Sequence, residues 1–306
     1  MKKILLLAFL ILAFNMAYPQ QQATLSQYMF NGLAINPAYA GSHEVLSASA
    51  LVRFQSVGVQ GAPNTQTFSA HSPLLNNKFG LGLLLVNDKI GVINQLGLNV
   101  VYAYRILFSE EQEKPEVLSF GLQAGFSSYN AKYTDLAIYN NNDPVFAQDV
   151  KEVRPNFGFG IYYYTHRFYA GLSIPHLVNN IFDSNNDFQS IVQPNPVIIN
   201  SGYVITLTRF LKFKPNFLCK IVSQKPVELN FNGNLSFDDV LWVGASYKFN
   251  NLDMLAEIQL TNQFRIGYCY SAPTNGVQQV NFASHEFMIN YKFLYPQSGV
   301  LTPRHF

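Results

Sequence analysis

Charge is scarce in this chain. Of its 306 residues only 12% are Asp, Glu, Lys or Arg, about half the share usual in soluble proteins. Twenty basic residues against eighteen acidic ones leave a net charge of +2 with no basic stripe, which argues against a nucleic-acid partner. Long hydrophobic runs are missing as well. Beyond the N-terminus none reaches the roughly 20 residues that a membrane-spanning helix needs. Cys219 and Cys269 are the only cysteines. Alternation puts Cys219 with Phe213, Phe217 and Ile221 on an apolar face, and Cys269 with Arg265 and Gly267 on a polar one. A disulfide between them is therefore not expected.

Chemistry is thin too. There is no G-x-S-x-G, no phosphate-binding loop and no Cys-His pair. His43, His71, His166, His176, His285 and His305 lack metal-ligand spacing, and a turn or surface place is expected for each. Ser284 and His285 are adjacent, so a strand turns them to opposite faces and they form no catalytic pair. Asp143, Asp149, Asp183 and Asp187 lie among Asn residues in long connections without a calcium-loop spacing, and read as solvated loop carboxylates. Catalytic, metal and cofactor residues are thus expected to be none.

What the chain does have is aromatic residues, 26 Phe and 18 Tyr, set in a period of two. In Arg154 to Pro175, Phe157, Phe159, Ile161 and Tyr163 alternate with Asn156, Gly158, Gly160, Tyr162 and Tyr164. After a turn at Thr165-His166, Phe168, Ala170, Leu172 and Ile174 alternate with Arg167, Tyr169, Gly171 and Ser173. That is a β-hairpin with one aromatic face and one small or polar face. Fourteen such stretches fall near 45–56, 64–72, 78–88, 92–106, 117–130, 154–164, 167–174, 195–208, 210–222, 226–237, 239–249, 252–261, 263–271 and 282–293. Apolar residues recur at i+2 throughout, so helices are excluded. A soluble sandwich or propeller would alternate likewise, but strands of roughly 9–11 residues with so little charge fit a bilayer better. The longest connections, 131–153, 175–194 and 272–281, all follow odd-numbered strands and so share one side, as the outer loops of a bacterial barrel do, although the charged SEEQEKPE at 109–116 follows an even one and breaks the trend. The fold expected is an all-β transmembrane antiparallel barrel of about 14 strands, closed because an open edge in lipid leaves backbone groups unsatisfied.

Flanking segments complete the plan. Met1-Lys2-Lys3 and the apolar Ile4 to Phe14 read as a secretory signal over 1–19, with cleavage between Ala17 and Gln20. No Cys lies nearby to carry a lipid anchor. The barrel is expected over 45–293 and a short tail over 294–306.

Several stretches resemble the PorP/SprF family of outer-membrane proteins associated with type IX secretion. SQYMFNGLAINPAYAGS at 26–42, GAPNTQTFSAHSPL at 61–74, GLGLLLVNDKIG at 80–91, DPVFAQDV at 143–150 and RPNFGFGIYYYTHRFYAGLSIPHLVNN at 154–180 carry the likeness. WVGASYKF, FRIGYCYS and SHEFMINYKF continue it to residue 293. The sequence departs at Gly32, where the family often has Pro, and at Ser56, where it often has Trp. The resemblance implies a non-catalytic barrel that supports export and surface attachment of a secreted cargo protein, adhesin-like, with a type IX C-terminal signal. It also implies links to periplasmic components of the secretion machine. A transport barrel for small solutes or hydrophobic compounds is the competing reading, because alternation does not show whether a lumen is open.

Two sets of residues are the candidate sites. Arg53, Arg105, Glu228, Glu257, Arg265 and Glu286 fall on the lumen face, as a network of ion pairs and water filling the barrel, or as a selective pore or a docking wall for a partner segment. The segment 20–44 is too aromatic for a free tail. Asn36-Pro37 and Ala40-Gly41 mark turns in it. It is expected to pack as a plug in or across the periplasmic mouth, with Tyr28, Phe30, Asn36, Pro37 and Tyr39 making the contacts; a docking peptide for a periplasmic partner is the alternative.

Overall fold

The computed structural model describes residues 25–43, 45–109, 116–135, 148–177, 195–223, 225–248, 251–274 and 283–293. Fifteen strand segments form one antiparallel sheet: β1 Leu46–Phe54, β2 Asn64–Leu74, β3 Phe79–Ile90, β4 Ile93–Ser109, β5 Glu116–Ala131, β6 Val150–Thr165, β7 Phe168–Ile174, β8 Val197–Tyr203, β9 Ile205–Thr206, β10 Leu211–Ile221, β11 Glu228–Phe237, β12 Leu241–Lys248, β13 Asn251–Gln259, β14 Phe264–Pro273 and β15 Ser284–Phe293. β8 and β9 are two halves of one strand, both paired with β10. Each spanning strand pairs with its sequence neighbours, and β15 pairs with β1, for example Leu51 with Met288. The result is a closed barrel of fourteen strands with no free edge.

Alternation decides the faces. On β11 Leu229, Phe231 and Phe237 are exposed outward, while Asn230, Asn232, Asn234 and Ser236 are buried inward. β13 and β15 repeat the pattern with Met254 and Ile258, and with Phe287 and Ile289, on the outside. Among the described residues no helix is long and apolar enough to cross a membrane. The chain crosses by strands instead.

The turns at one end share a device. Thr165 Oγ1 accepts from Phe168 N at 3.0 Å, Thr208 Oγ1 from Leu211 N at 3.1 Å, and Thr261 Oγ1 from Phe264 N at 3.0 Å. A hydroxyl placed three residues ahead satisfies an amide that the turn leaves unpaired. At this same end Asp238 and Asp239 both hold positive φ, 53° and 56°, the conformation that a tight hairpin between twisted strands requires and that Asp tolerates. Short turns mark the periplasmic side of bacterial barrels, so the connections 55–63, 132–149 and 175–196 lie on the outer side.

Two expectations are corrected here. β6 begins at Val150 rather than 154, so the outer connection after β5 covers 132–149. In the part of it that is described, Asp149 accepts from Thr134 N and Oγ1, which holds its carboxyl below the usual range; Asp143, Asp183 and Asp187 lie outside the described residues. The histidines are not all at turns or surfaces: His43 and His71 are buried, with ring centroids 4.9 Å apart, and His176 is half-buried. Two of these follow from packing around Tyr39, which a strand pattern does not show. The signal 1–19 and the tail 294–306 lie outside the described residues.

Candidate functional site

The lumen is not a water-filled space. Leu25 to His43 runs through it, and almost every residue of that stretch is buried. Three short 3-10 turns, Tyr28–Phe30, Gly32–Ala34 and Pro37–Tyr39, keep it compact. At its start Ser26 sits among Arg53, Lys248 and Glu286, all near the outer strand ends. At its finish Gly41 N donates to His71 Nδ1 at 3.1 Å, beside Pro73 and Gly80 at the periplasmic ends of β2 and β3. The segment therefore traverses the lumen from the outer to the periplasmic level. The segment expected to pack in or across the periplasmic mouth reaches beyond it, to the outer strand ends. Tyr28, Met29 and Phe30 can be consecutive and all buried because wall surrounds the segment on every side.

Two kinds of contact hold it. The first half, Leu25 to Phe30, is held by charge. Glu286 accepts from the backbone nitrogens of Ser26 at 3.0 Å and Gln27 at 2.8 Å, and faces Arg53 at 3.5 Å. One carboxylate thus ties two consecutive amides to the wall, a charge-assisted arrangement. Phe30 is capped by the Lys214 ammonium at 5.7 Å and the Arg265 guanidinium at 5.9 Å, with Trp242 edge-on at 6.3 Å. Such desolvated cation–ring contacts contribute about 2 kcal/mol each. Tyr28 is fully buried.

The periplasmic half is held by shape. Gly80, Ala103, Gly121, Gly160 and Ser173 stand in direct register across β3 to β7. This row of small residues leaves a shelf on which the chain from Asn36 to Ala40 lies. A Cβ on Gly80 would meet Ala40 O at 2.1 Å, on Gly121 Ala38 N at 2.1 Å, and on Gly160 Asn36 Oδ1 at 2.0 Å. Only glycine permits a backbone approach that close. Asn36 caps the last turn, with Ala38 N donating to its Oδ1 at 2.9 Å, and reaches into the sheet, with Nδ2 donating to Ile161 O at 2.9 Å. Ser173 Oγ donates to Ile35 O at 2.5 Å. Pro37 begins the turn, where a missing N–H costs nothing. Tyr39 lies edge-on to Tyr162 and donates to or accepts from His43 Nε2 at 3.0 Å. Burying Tyr28, Phe30 and Tyr39 contributes on the order of 5 kcal/mol.

The charged candidates divide. Arg53 and Glu286 meet Ser26 and Gln27 at the outer strand ends, whereas Arg265, 3.6 Å from Glu257, meets Phe30 toward the periplasmic ends of β13 and β14. Arg105 lies at the periplasmic end, hydrogen-bonded to the Tyr164 hydroxyl. Glu228 pairs with Lys220 at 3.6 Å near the outer rim, away from the rest. Reading by alternation missed the apolar lumen residues. Leu51, Leu218, Leu255 and Met288 are buried around Tyr28 and Phe30. Each stands between polar neighbours two residues away on its own strand, and that interruption was the available signal.

The model of the type IX secretion system membrane protein family PorP/SprF matches residues 17–291. The chain belongs to the PorP/SprF family. Solved structures similar to this family member include Acinetobacter baumannii outer membrane protein Omp33, with 9% identity, 82% of this chain and 98% of that chain covered, and a TM-score of 0.47. The KdgM porin covers 81% of this chain and 99% of its own at 10% identity and a TM-score of 0.37. A mutant porin of Rh. blastica covers the same shares at 8% identity and a TM-score of 0.35. Comparison with curated proteins gives no match. The family match and the closed barrel together make the PorP/SprF protein an outer-membrane β-barrel of a secretion system.

Proposed function

We propose that this PorP/SprF barrel is a non-catalytic docking component of type IX secretion. It supports export and surface attachment of a cargo protein carrying a type IX C-terminal signal, and it engages periplasmic components of the machine. The observation that carries this reading is the lumen occupied by Leu25 to His43, held by Glu286 at one end and the glycine shelf at the other. A filled lumen suits a scaffold that presents its outer loops, whereas a porin for small solutes needs an open one. Lipid meets the outer belt of Phe231, Met254, Phe287 and their neighbours.

The test is a chromosomal deletion with two readouts. Loss of one or a few surface proteins, with solute permeability unchanged, supports docking. Unchanged surface proteins with altered uptake of solutes would establish the transport barrel instead.

A further inference from the structure

Beside the threaded segment, toward the outer side, the lumen keeps a cavity of about 180 Å³. Its floor is apolar: Leu25, Ala34 and Ile35 of the segment meet Leu84, Ile198 and Leu218 of the wall. Its sides are neutral amides and hydroxyls already ordered by one another. Asn156 Nδ2 donates to Asn99 Oδ1 at 2.7 Å, Gln95 Nε2 to Ser127 Oγ at 3.1 Å, and Gln123 Nε2 to Pro175 O at 2.7 Å. The two charged groups at the rim are engaged, Asp88 by the Thr65 hydroxyl at 2.7 Å and Lys220 by Glu228. One polar group is left over. Thr67 lines the cavity at 6% exposure, and its hydroxyl has no hydrogen-bond partner among the described residues. A buried hydroxyl without a partner is costly unless something else satisfies it.

We propose that this cavity is a recognition pocket for one large apolar side chain, of Leu to Phe size, on an extended polypeptide arriving from outside. The volume sets the size, because a cavity near 150 Å³ already holds a benzene ring. The chemistry of the walls sets the class. Amide side chains offer donors and acceptors to the peptide groups flanking the inserted residue, and Thr67 receives one of them. A lipid chain would leave the Thr67 hydroxyl without a partner, and a charged ligand would meet cations and carboxylates already neutralised. The proposal deepens the docking reading, on which it rests for the source of the polypeptide.

The experiment uses the full protein in detergent micelles with labelled Ile and Leu methyl groups, and two probes, N-acetyl-Gly-Phe-Gly-amide and N-acetyl-Gly-Ser-Gly-amide. The Phe peptide is expected to shift Ile35, Ile198 and Leu218 saturably, and the Ser peptide to shift none of them. Thr67→Val keeps the shape and should weaken the Phe peptide about fivefold, the value of one hydrogen bond. Ala34→Phe, which fills the floor, should abolish binding while the barrel keeps its heat-modifiable mobility on gels. Equal shifts from both peptides, no saturation, or binding unchanged in Ala34→Phe would overturn the pocket. Cargo lost from the surface of cells carrying Ala34→Phe supports the whole scheme. Peptide binding in vitro with cargo retained in Ala34→Phe would keep the pocket and overturn its use in docking.

Discussion

The Cβ that Gly121 lacks would fall 2.1 Å from the backbone nitrogen of Ala38. Gly121 faces Gly160 across β5 and β6, and the two together make room for the Asn36–Pro37–Ala38 backbone. A barrel strand otherwise accepts Val well. Gly121→Val should therefore leave the barrel closed and lift the segment off its shelf. In planar lipid bilayers the native protein should stay near zero conductance and the variant should show openings. A silent variant with intact barrel folding would mean that the shelf does not hold the segment shut.

Glu286 supplies the second hold. It is 2% exposed and serves Ser26 N, Gln27 N and Arg53 at once. Glu286→Ala leaves two amides and a guanidinium buried without their anion, which costs about 3–5 kcal/mol. Denaturant titration in lipid vesicles measures it. Arg53→Ala should cost less, because Glu286 retains both amide donors. The reverse order would place the weight on the ion pair.

The lipid face makes a separate prediction. Phe231 is 55% exposed at mid-strand, and Phe231→Arg should cost about 2–4 kcal/mol in the same titration. Its neighbour Asn232 looks permissive by alternation, as a residue facing water. In the structure it is 4% exposed and accepts from Asn216 Nδ2 at 2.9 Å. Asn232→Arg should overpack the lumen and cost about 1–3 kcal/mol. Half-buried Gln95, on the cavity wall, is the cheap control.

That contrast shows what was legible. Period-two alternation carries the strands, the turn positions and the inward direction of Arg53, Glu257 and Glu286, because each is a local property of the chain. The filled lumen is not local. Gly80, Gly121 and Gly160 look like ordinary small lumen residues, and only the register across β3 to β6 aligns them under Asn36 to Ala40. Met288, flanked by Glu286 and Asn290, and Leu255, flanked by Asp253 and Glu257, were visible interruptions of a polar face. Their meaning appears once Tyr28 and Phe30 are seen packed beside them.

His176 offers a pH test. Burial, with Lys220 nearby, lowers its pKa to about 4, and its Nδ1 lies 3.0 Å from Asn156 Oδ1. The unfolded chain protonates near 6.5 while the folded one resists. Stability should therefore be unaffected above about pH 6.5, fall as pH drops from there to about 4, and level off below. Imidazole carbon shifts followed by NMR should show a midpoint near 4. A midpoint near 6.5 would place His176 in open solvent.

Asn36 separates capping from anchoring. As an N-cap its Oδ1 accepts from Ala38 N, and Asp would do the same equally well. The other half of the side chain differs. Nδ2 donates to Ile161 O at 2.9 Å and, more weakly, toward Leu172 O at 3.5 Å, two carbonyls paired across β6 and β7. Asn36 is 1% exposed, so a carboxylate there would face those oxygens without water. Asn36→Asp either buries an uncompensated charge or must take up a proton, and both are unfavourable at pH 7. Asn36→Ala loses the cap and the donor but adds no charge, at a cost of about 1–3 kcal/mol. The expected order of stability is Asn, then Ala, then Asp, with the Asp variant recovering as pH falls toward 4. Thermal unfolding in lipid at pH 7 and pH 4 reads both features. An Asp variant as stable as the native protein at pH 7 would reduce Asn36 to a cap and remove its hold on the barrel wall.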